Sequence, residues 1–168
     1  MIGARANLNE ERAVFYLSLG GFDHHASLQE GLAGKFDQIN PALQAFTDEM
    51  KAQGIWDNVA LLEASDFART LGTNGQGTDH AWGGHYFLLG GKINGGKIFG
   101  EYPASLLESS STNIGRNHRF LPTSPWEGVW TALADWFGVD ASRMSELLPN
   151  AANFPSSQLL TKQQLFAT

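Results

Sequence analysis

Three short stretches of the chain concentrate carboxylates and imidazoles. Gly20-Gly21-Phe22-Asp23-His24-His25 follows one apolar run, and Ser65-Asp66-Phe67-Ala68-Arg69-Thr70 ends a second. Thr78-Asp79-His80-Ala81-Trp82-Gly83-Gly84-His85 follows a Gly-rich loop. Carboxylate oxygens and imidazole nitrogens are ligands that suit zinc, manganese or iron. In open α/β sheets, functional groups gather where strands end. The three stretches therefore read as the rim of one metal-dependent site.

Each residue also has a plainer role. In a loop, Asp23 and His25 can converge on one ion; equally, Asp23 can cap the following turn while both histidines are solvated. Asp66 can close an Asx-turn or cap a short helix. Arg69 can bind an anionic substrate, because guanidinium pairs with phosphate or sulfate in a planar, bidentate way. Asp79 can orient His80 from behind, as carboxylates do for metal-bound imidazoles. His85 falls near a strand start and reads as a half-buried sheet residue. His118 stands with Arg116 and Arg119 and belongs with a basic surface. The glycines form neither GxGxxG nor GxxxxGK[ST], so no nucleotide loop is indicated.

The elements that must position these groups follow from patterning. Ala13 to Leu19 is apolar and aromatic and closes on Gly20-Gly21, the profile of a buried strand. Leu32, Phe36, Ile39, Leu43, Phe46 and Met50 recur at helical spacing, predicting a helix from about Leu28 to Gln53. Pro41 should kink or restart it, and Gly54 should stop it. Val59 to Ala64 reads as a second strand, making residues 13–64 a βαβ unit with parallel strands. Tyr86 to Leu89 reads as a third strand, with glycines turning the chain back towards Ile98-Phe99. Ser105 to Arg119 reads as a mobile loop. Ser124, Pro125 and Glu127 resemble a helix start with a capping box. Asp140 can cap a short helix ending near Leu148. The expected organisation is one domain over 1–154 and a polar, disordered tail over 155–168.

Composition narrows the function. The 168 residues can bury a real core. The net charge of −6 argues against sequence-independent nucleic-acid binding. No apolar stretch is long enough to span a bilayer. The absence of cysteine excludes thiolate ligands and disulfides. The N-terminus lacks the apolar core of a signal peptide, so the chain as written would be cytoplasmic.

The motif order resembles a known family. The strand, GGFDHH, long helix, strand, SDFART, GTDHAWGGHYFLLGG, PTSPWEGVWTALADWFGV and PNAANF resemble an uncharacterised bacterial family, the domain of unknown function fifteen-hundred-and-one. Its members usually carry a twin-arginine export signal and belong to the alkaline phosphatase and sulfatase superfamily. The resemblance runs from about Arg12 to Phe154. It implies an α/β fold with a mainly parallel sheet and flanking helices, equivalent to the C-terminal portion of an alkaline-phosphatase-like fold. It also implies a missing N-terminal segment that supplies a metal-binding Asp and a Ser or Thr nucleophile, and a periplasmic or exported full-length protein.

In the resemblance, Asp23 and His25 correspond to the first ligand set, Asp66 to the acid of the second, and His80 to the last His. His24, Asp79 and His85 are their neighbours or alternatives. Two departures argue against a two-metal site: Phe67 stands where a His is common, and Asp23 and His25 are two apart rather than a helical turn apart. The expected cofactor is a divalent metal, whether zinc, manganese, magnesium or calcium. The expected substrate is a small anionic phosphate or sulfate ester, turned over weakly or not at all by this chain alone. A non-catalytic binding or assembly module is the alternative. An unfinished sheet should leave an apolar face that a homodimer or the missing segment would cover.

Overall fold

A computed structural model describes residues 2–167. After a helical turn at Ile2–Ala4 comes a short helix α1 (Arg5–Leu8), then a long irregular stretch, then α2 (Leu28–Ala52). Four short strands follow: β1 (Leu61–Glu63), β2 (Ala68–Arg69), β3 (His80–Ala81) and β4 (Phe87–Leu89). The C-terminal part holds α3 (Trp126–Phe137), α4 (Met144–Leu147) and α5 (Lys162–Leu165), linked by single helical turns.

The mainly parallel sheet expected from the sequence is not what forms. β1 pairs antiparallel with β4, in the register Leu61↔Leu89, and β2 pairs antiparallel with β3. The two ladders are separate. The cause lies in the apolar run Ala13–Leu19, which joins no ladder and is exposed throughout. A parallel βαβ unit needs its first strand beside its second. With residues 13–19 standing off, β1 pairs instead with β4, the strand that follows the β2–β3 hairpin, and the geometry is antiparallel. An alkaline-phosphatase-like sheet is therefore corrected to two small antiparallel ladders.

Helix α2 agrees with its apolar period and runs unbroken through Pro41. It ends in a Schellman arrangement: Gly54 N–H donates to Lys51 O and Ile55 N–H to Met50 O. Gly54 has φ +66°, a conformation that favours glycine. Helix α3 starts one residue later than the capping-box reading. Pro125 is the N-cap, no side chain caps it, and Gly138 closes it in the left-handed region. Asp140 does cap: its carboxylate accepts from Ser142 N–H ahead of α4.

Two further expectations are revised. The segment after β4 does not return to Ile98-Phe99. Ile93 instead bridges Phe166, with Asn94 N–H donating to Leu165 O and Ala167 N–H to Lys92 O. The loop of Ser105–Arg119 is tied by a bridge between Asn113 and Phe120.

The polar C-terminal stretch, expected to be disordered, carries the centre of the core. Thr161 and Gln164 form a reciprocal capping box that starts α5. Leu165 is fully buried and Phe166 nearly so. They pack with Val129, Ala132, Leu133 and Trp136, the i, i+3, i+4, i+7 face of α3, and with Leu88 and Ile93. Trp136 stacks on Phe166 at 4.8 Å between ring centroids. Gly128 lets the chain beyond Pro155 approach: an added Cβ would lie 2.8 Å from Gln158 O, and Gly128 O accepts from Leu160 N–H. This core is small, so its best-buried side chain should matter most. Leu165→Ala is expected to cost about 2–5 kcal/mol, read as a lower denaturant midpoint in equilibrium unfolding. A change below 1 kcal/mol would mean the C-terminal packing contributes little.

Candidate metal centre

The β2–β3 ladder sets the site. Its register places Arg69 opposite His80, so both side chains lie on one face. Thr70 N–H donates to Asp79 O and extends the pairing by one residue. The connecting loop holds itself by side chains: Asn74 Oδ1 accepts from Gln76 and Gly77 N–H, and Thr73 Oγ1 donates to Gly77 O. This hairpin is fastened to the Asp23 loop. Thr78 N–H donates to His24 O, and Asn74 Nδ2 donates to His25 O. Gly77 makes the contact close, since a Cβ there would lie 2.5 Å from His24 O.

Fastening the two loops gathers three side chains. His80 Nε2 lies 2.8 Å from Asp23 Oδ1, His25 Nε2 lies 3.0 Å from the same oxygen, and the two imidazole nitrogens are 3.2 Å apart. Among the described residues, Asp23, His25 and His80 are the acidic and imidazole groups close enough to hold one ion together. Tetrahedral zinc with bonds of about 2.0–2.1 Å separates its ligand atoms by about 3.3 Å. The three donors would open by a few tenths of an ångström to reach that spacing. All three lie on the surface, with side-chain exposures of 64%, 49% and 52% for Asp23, His25 and His80.

Asp79 supports this group, through His25 rather than through His80. Its Oδ1 lies 3.4 Å from His25 Nδ1 and accepts from Asn74 Nδ2 at 3.0 Å; its Oδ2 accepts from Asn117 Nδ2 at 3.4 Å. A carboxylate on Nδ1 leaves Nε2 as the ligand atom and turned towards Asp23. Behind His80, Phe67 packs at 4.7 Å between centroids, while Arg119 Nε donates to the His80 carbonyl.

Arg69 binds inside the protein. Its Nη1 donates to Asp23 Oδ1 at 2.5 Å, its Nε to Thr78 Oγ1, and its Nη2 to Thr78 O. The other residues singled out from sequence lie elsewhere. Asp66 is exposed and stands outside the three-ligand group, where with Glu63 it pushes the Tyr86 hydroxyl pKa up, second to partial burial of that ring. His85 meets the Tyr102 hydroxyl edge-on. His24 packs its ring against Gly31 of α2, and its Nε2 is buried without a hydrogen-bond partner among the described residues. His118 packs on Phe120 beside Gly72. The supporting roles of Asn74 and Asn117 left no signal in the sequence beyond a Gly/Asn-rich loop.

The chain belongs to a family described as proteins of unknown function, DUF1501, whose model matches residues 1–115. Both loops of the centre fall inside that span. No curated protein and no solved structure matches the chain. No described helix is long and apolar enough to cross a membrane.

The polar contacts act on acidity. Hydrogen bonding to His80, then to Arg69, holds the Asp23 carboxyl at about 2 instead of 3.8. Asn74, followed by His25 and Asn117, holds Asp79 below its ordinary value against partial desolvation. Because the folded state favours ionised Asp23, its stabilising contribution is complete above about pH 4 and is lost as pH falls through about 2. In a carboxyl-carbon NMR titration of the metal-free protein, Asp23 should titrate near 2 and move up towards 3.8 in Arg69→Gln. A wild-type midpoint close to 3.8 would show that the contacts to Asp23 do not persist in solution.

Proposed function

We propose that this protein binds one divalent cation through Asp23, His25 and His80 and that the centre serves hydrolysis of phosphate or sulfate esters. One observation carries the reading: Oδ1 of Asp23 and Nε2 of both histidines lie within 4.8 Å of one another, with His25 oriented from behind by Asp79. Three protein ligands leave a fourth position, the pattern of catalytic rather than structural zinc. The imidazole pair favours zinc or manganese over magnesium and calcium, which prefer all-oxygen sites. The motif order that resembles the alkaline phosphatase and sulfatase superfamily supports the choice of anionic esters.

When bound, such a cation polarises an ester oxygen and lowers the pKa of a coordinated water. The chain's own groups then have distinct tasks. Asp23, paired with Arg69 here, would turn its carboxylate to such a cation. Arg69 would keep its two bonds to Thr78, and its Nη1 would be free to hold a phosphate or sulfate oxygen. Asp79 fixes the His25 ring. None of these residues is a nucleophile for a covalent step, and the Thr78 hydroxyl is engaged by Arg69. Turnover by this chain alone should therefore be slight.

One feature favours a second reading, a non-catalytic metal-binding module. The three donors are about half exposed or more, so nothing excludes water as an efficient hydrolytic site requires.

Calorimetric titration of metal-free protein with zinc should show one site per chain. Asp23→Ala, His25→Ala and His80→Ala should each abolish or strongly weaken it. Asp79→Ala should cost about 10- to 100-fold in affinity, while Asp66→Ala and His85→Ala leave it unchanged. Failure to bind zinc or manganese would end both readings. With metal bound, aryl phosphate or sulfate turnover that disappears in Asp23→Ala supports the hydrolytic reading. Metal binding with no turnover supports the module.

A further inference from the structure

The Asp23 loop is fastened to the β2–β3 hairpin on one side and to α2 on the other. The α2 side rests on His24, the residue between two of the proposed ligands. Its ring lies over Gly31, where an added Cβ would sit 2.6 Å from Nδ1 and 2.9 Å from Nε2 of the imidazole. Nε2 is buried and has no hydrogen-bond partner among the described residues. Contact with the helix, and not a bond at that nitrogen, is what seats the ring. One turn further along the same face of α2, Lys35 Nζ donates to Gly20 O. The loop therefore meets one helix face twice, at Gly20 and at His24.

The backbone around His24 is held as closely as its ring. His24 N–H donates to Phe22 O and His25 N–H to Asp23 O, two tight turns in succession. His24 O accepts from Thr78 N–H of the hairpin. Residue 24 thus reaches α2 through its side chain and the hairpin through its carbonyl. Asp23 and His25 are its covalent neighbours. Their own side chains are about half exposed or more, so the protein interior does little to orient them.

We propose, on the metal-binding reading above, that His24 is the positioning residue of the centre: its ring, seated on Gly31, sets Asp23 and His25 against His80 before a cation arrives. The task is steric. The shape of the ring matters, and its nitrogens bond to no metal.

The test compares two glycines of one helix. Gly31 is covered by the His24 ring, whereas a Cβ at Gly34 would meet nothing within 4 Å. Alanine is the better helix former at both positions. Gly31→Ala should displace the ring and weaken zinc binding about 10- to 100-fold by calorimetry, although far-UV circular dichroism shows α2 no less helical. Gly34→Ala should bind as wild type does. His24→Ala should weaken binding to a like degree, and His24→Phe, which keeps a flat ring over Gly31, should bind close to wild type.

A second readout needs no metal. The His25 and His80 ring centroids are 5.0 Å apart, so their ring protons should show a nuclear Overhauser effect in the metal-free protein. It should persist in His24→Phe and Gly34→Ala and vanish in His24→Ala and Gly31→Ala. If wild type binds no zinc, the metal reading fails, while loss of the ring contact in those two variants still supports the role of His24. Zinc binding and a ring contact that both survive in His24→Ala would overturn the role and leave the metal reading intact. Binding by His24→Phe as weak as by His24→Ala would also overturn it, because the nitrogen and not the shape would then be needed. So would absence of the contact from wild type.

Discussion

The candidate centre depends on one short ladder. Ala68–Arg69 and His80–Ala81 contribute only two residues each, and so small a hairpin is marginal by itself in water. It persists because other contacts restrict the same loop. Asn74 gathers the Gly-rich turn with its own carbonyl, while its amide reaches both Asp79 and the His25 backbone. Thr78 is pinned from two sides, by its N–H on His24 O and by the Arg69 guanidinium on its carbonyl and hydroxyl. Without the ladder, Arg69 and His80 would not share a face, and Asp23 would lose both of its nearest partners. The electrostatics follow from that placement, since it is His80 and Arg69 that keep Asp23 ionised.

Local chemistry was legible in the sequence where it rested on neighbouring residues. The apolar period of α2, its stop at Gly54 and the Asp140 cap all depend on interactions spanning a few positions. Asp23, His25 and His80 do come together, but the residue pattern left a capping role for Asp23 with solvated histidines equally open. The expectation rested on loops at the ends of a parallel sheet, and no such sheet forms among the described residues. What joins the loops is Thr78 bonding to His24 O across a Gly77 contact, which no pattern of residue types announces.

Failures came wherever the outcome depended on distant partners. Ala13–Leu19 has every local mark of a buried strand, yet burial is a property of what lies beside it, and among the described residues the run joins no ladder and stays exposed. The C-terminal stretch failed in the opposite sense. Its polar composition suggested disorder, but Thr161 and Gln164 cap a single turn that delivers Leu165 and Phe166 onto α3. Leu165 and Phe166 outweighed the polar residues around them because they meet the face Val129–Trp136 of α3. Asp66 shows the same limit on a small scale: three residues beyond β1, it stands outside the Asp23, His25 and His80 group.

The exposed run and the candidate centre are three residues apart along the chain. Gly20 and Gly21 join them, and Gly21 has φ +88°, where a side chain would be strained. Among the described residues, Lys35 bonds to that junction from α2. Whatever fixed residues 13–19 would therefore restrict the backbone up to this junction, and less freedom would remain for the Asp23 loop to lose on closing around a ligand.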